Sequence, residues 1–393
     1  MNILVDIPKL NKKQGGIYQY AVALLRTLGN QDSKFNYFVH INQPDVDIKV
    51  IVGQFDNLSF VSIQKKKQSK FTLKILRICN SALRKIGSSI RLNRSDTYDE
   101  IIKKYRIVLI HSPTQQLEER KGIPCIATMH DVQELHFPEY FTSEQRAFRA
   151  VNYKRVIDNA DAIIVSYDHI KNDIVKYFQK DEKEVHTILL DMQNLWFDSL
   201  EISSPSLLGK FKLPKDFLLY PASTWEHKNH NVLINALEAL KDEKISIVCT
   251  GHKTPYYHDT LKKRIENKHL QNQIKFLGIV SDEVLFELYH SCKALVIPTL
   301  YEAGSFPLME SILMGIPVIC SKVTSLPETI GDDKFTFNPN NVSDVAEKIM
   351  QIWFDSDYIQ ENIALSKIQS QKLKNNNAGA KFESLYSKIL SNN

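Results

Sequence analysis

At 393 residues the chain exceeds one ordinary hydrophobic core, so two domains are expected. Hydrophobic residues make up 43% and charged residues 24%, as in an ordinary globular protein, and no apolar run approaches the length that would mark a helical membrane span. A net charge of +5 is mild, but its distribution is uneven: residues 61–95 hold ten Lys or Arg and no acid. The five cysteines (Cys79, Cys125, Cys249, Cys292 and Cys320) are odd in number, widely spaced and form no Cys-x-x-Cys. They read as reduced thiols of a cytoplasmic protein. The opening Met1-Asn2-Ile3-Leu4-Val5 runs straight into a strand pattern, so no signal peptide is expected.

In chain order, residues 3–7 predict a first strand. Lys12-Lys13-Gln14-Gly15-Gly16 follows, then a helix whose Ile17, Tyr20, Ala21, Leu24, Leu25 and Leu28 share one face, closed by Gly29. Strand, glycine pair and helix together bring a phosphate or sugar close to backbone; a plain turn is the alternative, because this is not Gly-x-Gly-x-x-Gly. Strands are predicted at 36–41, 48–52 and 58–63. Asp45-Val46-Asp47, an Asp-x-Asp, is expected in a Pro-flanked polar loop far from the other motifs, and no His/Cys cluster has zinc spacing, so no metal is expected.

Residues 64–94 interleave Phe71, Ile75, Ile78, Leu83 and Ile86 with Lys70, Lys74, Arg77, Arg84 and Lys85. Two readings of this basic amphipathic segment stand open: contact with an anionic membrane surface, or a core-packing helix with a solvated basic face. Nucleic acid is not expected, because no aromatic stacking series accompanies the charge.

Strands at 106–111 and 123–128 follow, the second running into Met129-His130-Asp131. Then come a helix over 143–160, a strand over 162–166, a helix over 168–178 and a strand over 185–190. Such alternation predicts a parallel sheet with helices on both faces. Residues 203–215, with Ser203, Ser204, Pro205, Gly209 and Pro214, form the best linker candidate. A second alternation begins at once: strands at 217–221, 245–250, 274–277, 294–298 and 318–321, and helices at 231–240 and from Val342 to Trp353. An Asn- and Lys-rich stretch of weak pattern precedes a last helix over 378–390.

Within the second alternation lies Tyr301-Glu302-Ala303-Gly304-Ser305-Phe306-Pro307-Leu308-Met309-Glu310. The preceding apolar run reads as a buried strand, and Pro307 with Met309, Ile312 and Leu313 reads as the start of a helix. Glu302 is then expected in a strand-to-helix loop and Glu310 about one turn into the helix. A helix N-terminus presents N–H groups to a phosphate, and a carboxylate accepts both hydrogen bonds of a sugar diol. The alternative is a glutamate that merely favours the helix dipole. Two tandem doubly wound domains would present Gly15-Gly16, His130-Asp131, His227-Lys228 and 302–310 on loops converging on a cleft.

These residues together resemble the retaining glycosyltransferases of GT-B fold, glycosyltransferase family 4, which includes bacterial sucrose and glycogen synthases and many mannosyltransferases. Glu302-x7-Glu310, then Gly315-Ile316-Pro317-Val318, then Ser325-Leu326-Pro327-Glu328 match the family's order and spacing. The resemblance implies an α/β protein of GT-B fold, with two Rossmann-like doubly wound domains facing a deep cleft. Residues 1–202 would bind acceptor, residues 203–374 would bind the nucleotide sugar, and a C-terminal helix over about 375–393 would pack back on the first domain.

By the same match Glu310 would hold the ribose hydroxyls, Glu302 would sit near the transferred sugar, and the amides around Ser305 and Phe306 would face the diphosphate. Lys228, within Glu226-His227-Lys228-Asn229-His230, would neutralise the leaving diphosphate, with His227 beside it in the donor site. The arginine that many members carry a few residues earlier is replaced here by Thr224 and Trp225. His130 would contact the donor sugar near the reacting carbon, and Gly15-Gly16 would approach the diphosphate and acceptor. Where the family commonly has Gly-Phe-Gly after the first glutamate, this chain has Ala303-Gly304-Ser305-Phe306.

The expected reaction is transfer of a hexose, with GDP-mannose as first donor and a UDP-sugar as second. The acceptor would be an oligosaccharide or lipid-linked saccharide in surface polysaccharide, such as lipopolysaccharide, synthesis. No cofactor is expected. The protein would be cytoplasmic, with peripheral attachment at the inner face of the membrane left open. A sugar-nucleotide epimerase of the same fold and a catalytically silent binding subunit are the competing classes; the second would be expected to have lost Lys228 or one of the glutamates. A nicotinamide dehydrogenase would need Gly-x-Gly-x-x-Gly, which neither half supplies.

Overall fold

The computed structural model describes residues 1–10, 16–30, 33–63, 69–86, 97–120, 122–193, 196–202 and 207–392. The chain forms two compact units, Met1–Asp191 with Asn376–Asn393, and Met192–Asn375. The division falls at Asp191 and Met192, ahead of the 203–215 stretch favoured by composition. Backbone bonding sets it there: Met192 N–H donates to the Leu373 carbonyl, while Asp191 accepts from the N–H groups of Asn376 and Ala378.

The first unit runs β1 (Asn2–Asp6), α1 (Gly16–Gly29), β2 (Asn36–His40), α2 (Val46–Gln54), β3 (Leu58–Val61), α3 (Lys70–Lys85), α4 (Tyr98–Tyr105), β4 (Ile107–Ser112) and β5 (Cys125–Thr128). It continues through α5 (Gln133–His136), α6 (Ser143–Asn159), β6 (Ala162–Val165), α7 (Asp168–Phe178) and β7 (Val185–Thr187). The seven strands among the described residues pair in parallel, in the order β3-β2-β1-β4-β5-β6-β7. Covered on both faces, such strands read as continuous apolar runs; all four residues of β6, Ala-Ile-Ile-Val, are buried. Thr142 and Gln145 close a reciprocal capping box at the start of α6.

One predicted strand is corrected. Residues 48–52 lie in helix α2, where Ile48, Ile51 and Val52 bury one face. A short apolar run does not distinguish strand from helix, and the cap decides: Asp45 Oδ1 accepts from Ile48 N–H at 3.0 Å. The Asp-x-Asp is accordingly a helix start rather than a loop, and Tyr18 donates its hydroxyl to Asp45 Oδ2 at 2.7 Å.

The second unit holds β8 (Leu218–Pro221), α8 (His230–Ala239), β9 (Ile247–Thr250), α9 (Lys262–Asn267), β10 (Ile274–Gly278), α10 (Asp282–Ser291), β11 (Ala294–Ile297) and α11 (Phe306–Met314). β12 (Val318–Ser321), α12 (Leu326–Ile330), β13 (Thr336–Phe337), α13 (Val342–Phe354) and α14 (Ser356–Lys374) complete it. Its six strands among the described residues are also parallel, in the order β10-β9-β8-β11-β12-β13.

Helix α14 fills the stretch that composition left unpatterned. Asp355 caps it, and buried Asn362 holds it to the sheet by bonding both the N–H and the carbonyl of Val318, at 2.9 and 2.8 Å. The final helix, α15 (Ala378–Asn392), belongs to the first unit, where Phe382 and Tyr386 join the core formed by α1, β1 and β2. Among the described residues no helix is long and apolar enough to cross a membrane.

Candidate active site

In the second sheet the strand order reverses between β8 and β11, which lie side by side. Loops leaving adjacent strands in opposite senses open a crevice at their carboxyl ends. Lys228 stands on the β8–α8 loop and Glu302 on the β11–α11 loop, and Lys228 Nζ reaches Glu302 Oε1 at 2.5 Å. The side chains are 20% and 12% exposed, so the pair is partly shielded yet reachable.

The backbone around this pair is cross-braced. The His227 carbonyl accepts from Leu300 N–H at 2.7 Å and from Thr299 Oγ1 at 3.0 Å, tying one loop to the other. Tyr220, buried in β8, donates to the Lys228 carbonyl at 2.9 Å. Glu302 N–H donates to Thr324 Oγ1, and Ser325 Oγ donates to the Glu302 carbonyl, each at 3.1 Å. Gly251 lies directly beneath: its φ is +103°, and a Cβ there would stand 2.6 Å from Ser223 N and 2.7 Å from Ala222 C. Only glycine lets the chain leading to Lys228 pass so close.

Ser305 occupies the N-cap position of α11, and Pro307 lies in the first turn, as the sequence predicts. The Ser305 hydroxyl does not cap the helix; it is buried and has no hydrogen-bond partner among the described residues. The helix N-terminus next to Glu302 therefore keeps both unspent backbone donors and an unspent hydroxyl. Phe306 is the first residue of that helix.

Glu310 is buried one turn in. Its Oε1 accepts from Trp196 Nε1 at 2.7 Å and its Oε2 from the Tyr289 hydroxyl at 2.6 Å. Burial raises its carboxyl above the ordinary range, with the two hydrogen bonds opposing the rise. The sequence expects this carboxylate to be free for a diol; in the structure each oxygen already has a protein donor and retains a second lone pair. Trp196 and Tyr289 were missed from sequence, since nothing in their spacing links residues so far apart.

His227 and His230 differ. His230 is wholly buried in α8 against the rings of Tyr220 and Phe276, and burial holds its imidazole down to about 3. His227 is also pushed down to about 3, by burial and then by Lys228. Thr224, which replaces the expected arginine, is buried and accepts from Thr254 N–H at 2.9 Å, so it holds the β8 and β9 loops together rather than presenting charge.

In the first unit the order reverses between β1 and β4. His130 follows β5, half-buried and edge-on against the Tyr20 ring of α1 at 4.6 Å, with Nε2 2.8 Å from the Pro113 carbonyl. Burial lowers its pKa, opposed by that carbonyl and by Asp131. Asp131 is itself held by Arg149, which also donates to Glu134 at 2.7 Å. Behind His130 runs a chain that sequence reasoning missed. His111 of β4 bonds the Tyr386 hydroxyl through Nδ1 at 2.8 Å and Thr128 Oγ1 through Nε2 at 3.0 Å; Tyr20 Oη lies 3.5 Å from the same Thr128 oxygen. Gly16 opens α1, while Gly15 lies outside the described residues.

Residues 209–367 match the family model described as "Glycosyl transferases group 1". The match lies within the second unit and leaves the first unit outside it. Lys228, Glu302, Ser305, Phe306 and Glu310 all fall inside the matched group 1 stretch, and Gly16 and His130 fall outside it. Among curated relatives, O-antigen chain mannosyltransferase B of Escherichia coli is 26% identical over 254 residues, 64% of this chain and 66% of that protein. The serotype-specific mannosyltransferase WbdA of Escherichia coli is 32% identical over 171 residues, 42% of this chain but only 21% of its own length. The chain thus spans just under two thirds of the first and about a fifth of the second. Of solved structures, a glycosyltransferase from Rickettsia africae superimposes with a TM-score of 0.70 at 19% identity, covering 100% of this chain and 99% of that one. The fold is GT-B, two Rossmann-like units in tandem.

Proposed function

We propose that the protein transfers a mannosyl residue, with retention of configuration, from GDP-mannose to an oligosaccharide or lipid-linked saccharide acceptor in surface polysaccharide synthesis. The observation that carries this reading is the Lys228–Glu302 pair beside the open N-terminus of α11. Breaking the sugar C1–phosphate bond sends its electron pair to the diphosphate and leaves positive charge on the ring. Lys228 and the α11 amides stabilise the first, which frees Glu302 to orient a sugar hydroxyl or stabilise the second. The acceptor oxygen bonds to C1 on the face the diphosphate leaves, and its proton passes to a phosphate oxygen. Glu310, braced by Trp196 and Tyr289, offers its remaining lone pairs to the ribose. Because Lys228 supplies the neutralising charge, no divalent cation is needed. The mannosyl choice is supported by the names of the two relatives; a UDP-sugar is the second candidate.

A thermal-shift panel of sugar nucleotides tests the reading. A donor present at 100 times its Kd should stabilise the fold by about 2.7 kcal/mol. GDP-mannose is expected to give the largest shift, and its acceptor-dependent turnover should persist in EDTA. If no sugar nucleotide shifts the transition, the proposal fails. Conversion of the donor to an epimer without acceptor would assign the epimerase reading instead.

A further inference from the structure

The sequence left two readings of the basic segment open, and for the described part the structure counts against the core-packing one. Ser69 caps α3 by accepting from Thr72 N–H at 3.1 Å. None of the helix's described side chains is buried, so it does not pack into the core. Phe71, Ile75 and Ile78, at i, i+4 and i+7, form one stripe and are 72%, 44% and 59% exposed; Ile86, just past the helix, is 78% exposed. Leu76 and Leu83, on another side, are half-buried. Lys74 and Lys85 border the exposed stripe and Arg77 lies beyond them, in a stretch of sequence without one acid. Three large apolar side chains in water are a cost that a monomeric surface normally avoids.

We propose that α3 docks the protein on an anionic lipid bilayer, its Phe71-Ile75-Ile78 stripe inserted among the headgroups and Lys74, Arg77 and Lys85 held at the surface charge. The helix axis lies in the plane of the interface, since the stripe runs along its length. Charge complementarity selects this occupant. A protein partner or a second copy would need acidic groups facing the basic border, whereas anionic headgroups supply that charge over any area. The inference is independent of the donor chemistry.

Cosedimentation of the full chain with vesicles tests it. Binding is expected to vesicles of phosphatidylglycerol and phosphatidylcholine at low salt, and not to phosphatidylcholine alone. Each of Lys74→Ser, Arg77→Ser and Lys85→Ser should weaken binding roughly fivefold. F71D/I78D should abolish it while leaving the thermal transition unchanged, because both side chains already lie in water. Absence of binding to the anionic vesicles at low salt overturns the proposal, as does unchanged binding by F71D/I78D. A concentration-dependent dimer in sedimentation velocity, dissolved by F71D/I78D in a chain that ignores vesicles, assigns the stripe to a second copy and also overturns it. Thermal shift by sugar nucleotides should be the same in both proteins, so a failure here is separable from a failure of the donor reading.

Discussion

The two units share a topology and place different side chains near the point where its strand order reverses. Each is a parallel sheet whose strand order reverses once, between β1 and β4 in the first and between β8 and β11 in the second. At the second reversal a lysine and a glutamate face each other across two loops, partly open to water. Near the first, a run of neutral groups (Tyr386, His111, Thr128, Tyr20) is buried behind His130. Topology sets where a ligand is met, and the side chains set what it is met with. A preorganised charge acts on charge that develops beside it, whereas buried and satisfied dipoles hold a neutral side chain in place.

The largest expected effect breaks the charged side of this contrast. Lys228→Ala should lower transfer roughly 10²- to 10³-fold, as loss of one preorganised donor at a developing negative charge does. A variant retaining full transfer would remove the leaving-group role. Glu302→Ala combined with Lys228→Ala should cost less than the sum of the two single changes, because each single variant strands the other's charge.

A smaller effect should appear in the neutral side as pH falls. Burial pushes the His111 imidazole down to about 3 in the folded chain, against about 6.5 when unfolded. Below about pH 6.5 the unfolded chain binds a proton that the folded chain refuses, so stability falls with pH until the folded group titrates near 3. By pH 5 this one residue should cost about 2 kcal/mol. Urea midpoints of His111→Gln and the parent, followed from pH 7 to pH 5, should diverge by one proton's worth of slope. Parallel curves would show that His111 is not buried in its neutral form.

The smallest effect is Tyr386→Phe, which deletes the hydroxyl paired with His111 while keeping the ring packed among Phe35, Tyr37 and Phe382. A loss of about 1 kcal/mol is expected, measurable in the urea midpoint, with transfer rate unchanged. A large fall in rate with intact stability would instead place this network in the chemistry.

Most strands were legible because a parallel sheet covered on both faces demands continuous apolar runs, as in Ala294–Ile297 and Val318–Ser321. Helix α2 was misread because 48–52 is apolar enough for either period, and only the Asp45 cap settles it. Helix α14 was missed because its core contacts run through polar residues, Asn362 foremost, which no hydrophobic pattern reports.

For the site, the sequence by itself determined the local frame. Strand, loop and helix N-terminus around Glu302, Ser305 and Glu310 follow from residues within ten positions of one another, where capping and periodicity act. Tertiary structure alone decided what those side chains touch. Lys228 meets Glu302 across 74 residues, Trp196 meets Glu310 across 114, and Tyr386 meets His111 across 275. Such partners are joined by the packing of a sheet and its helices, and short-range propensity carries no record of that geometry.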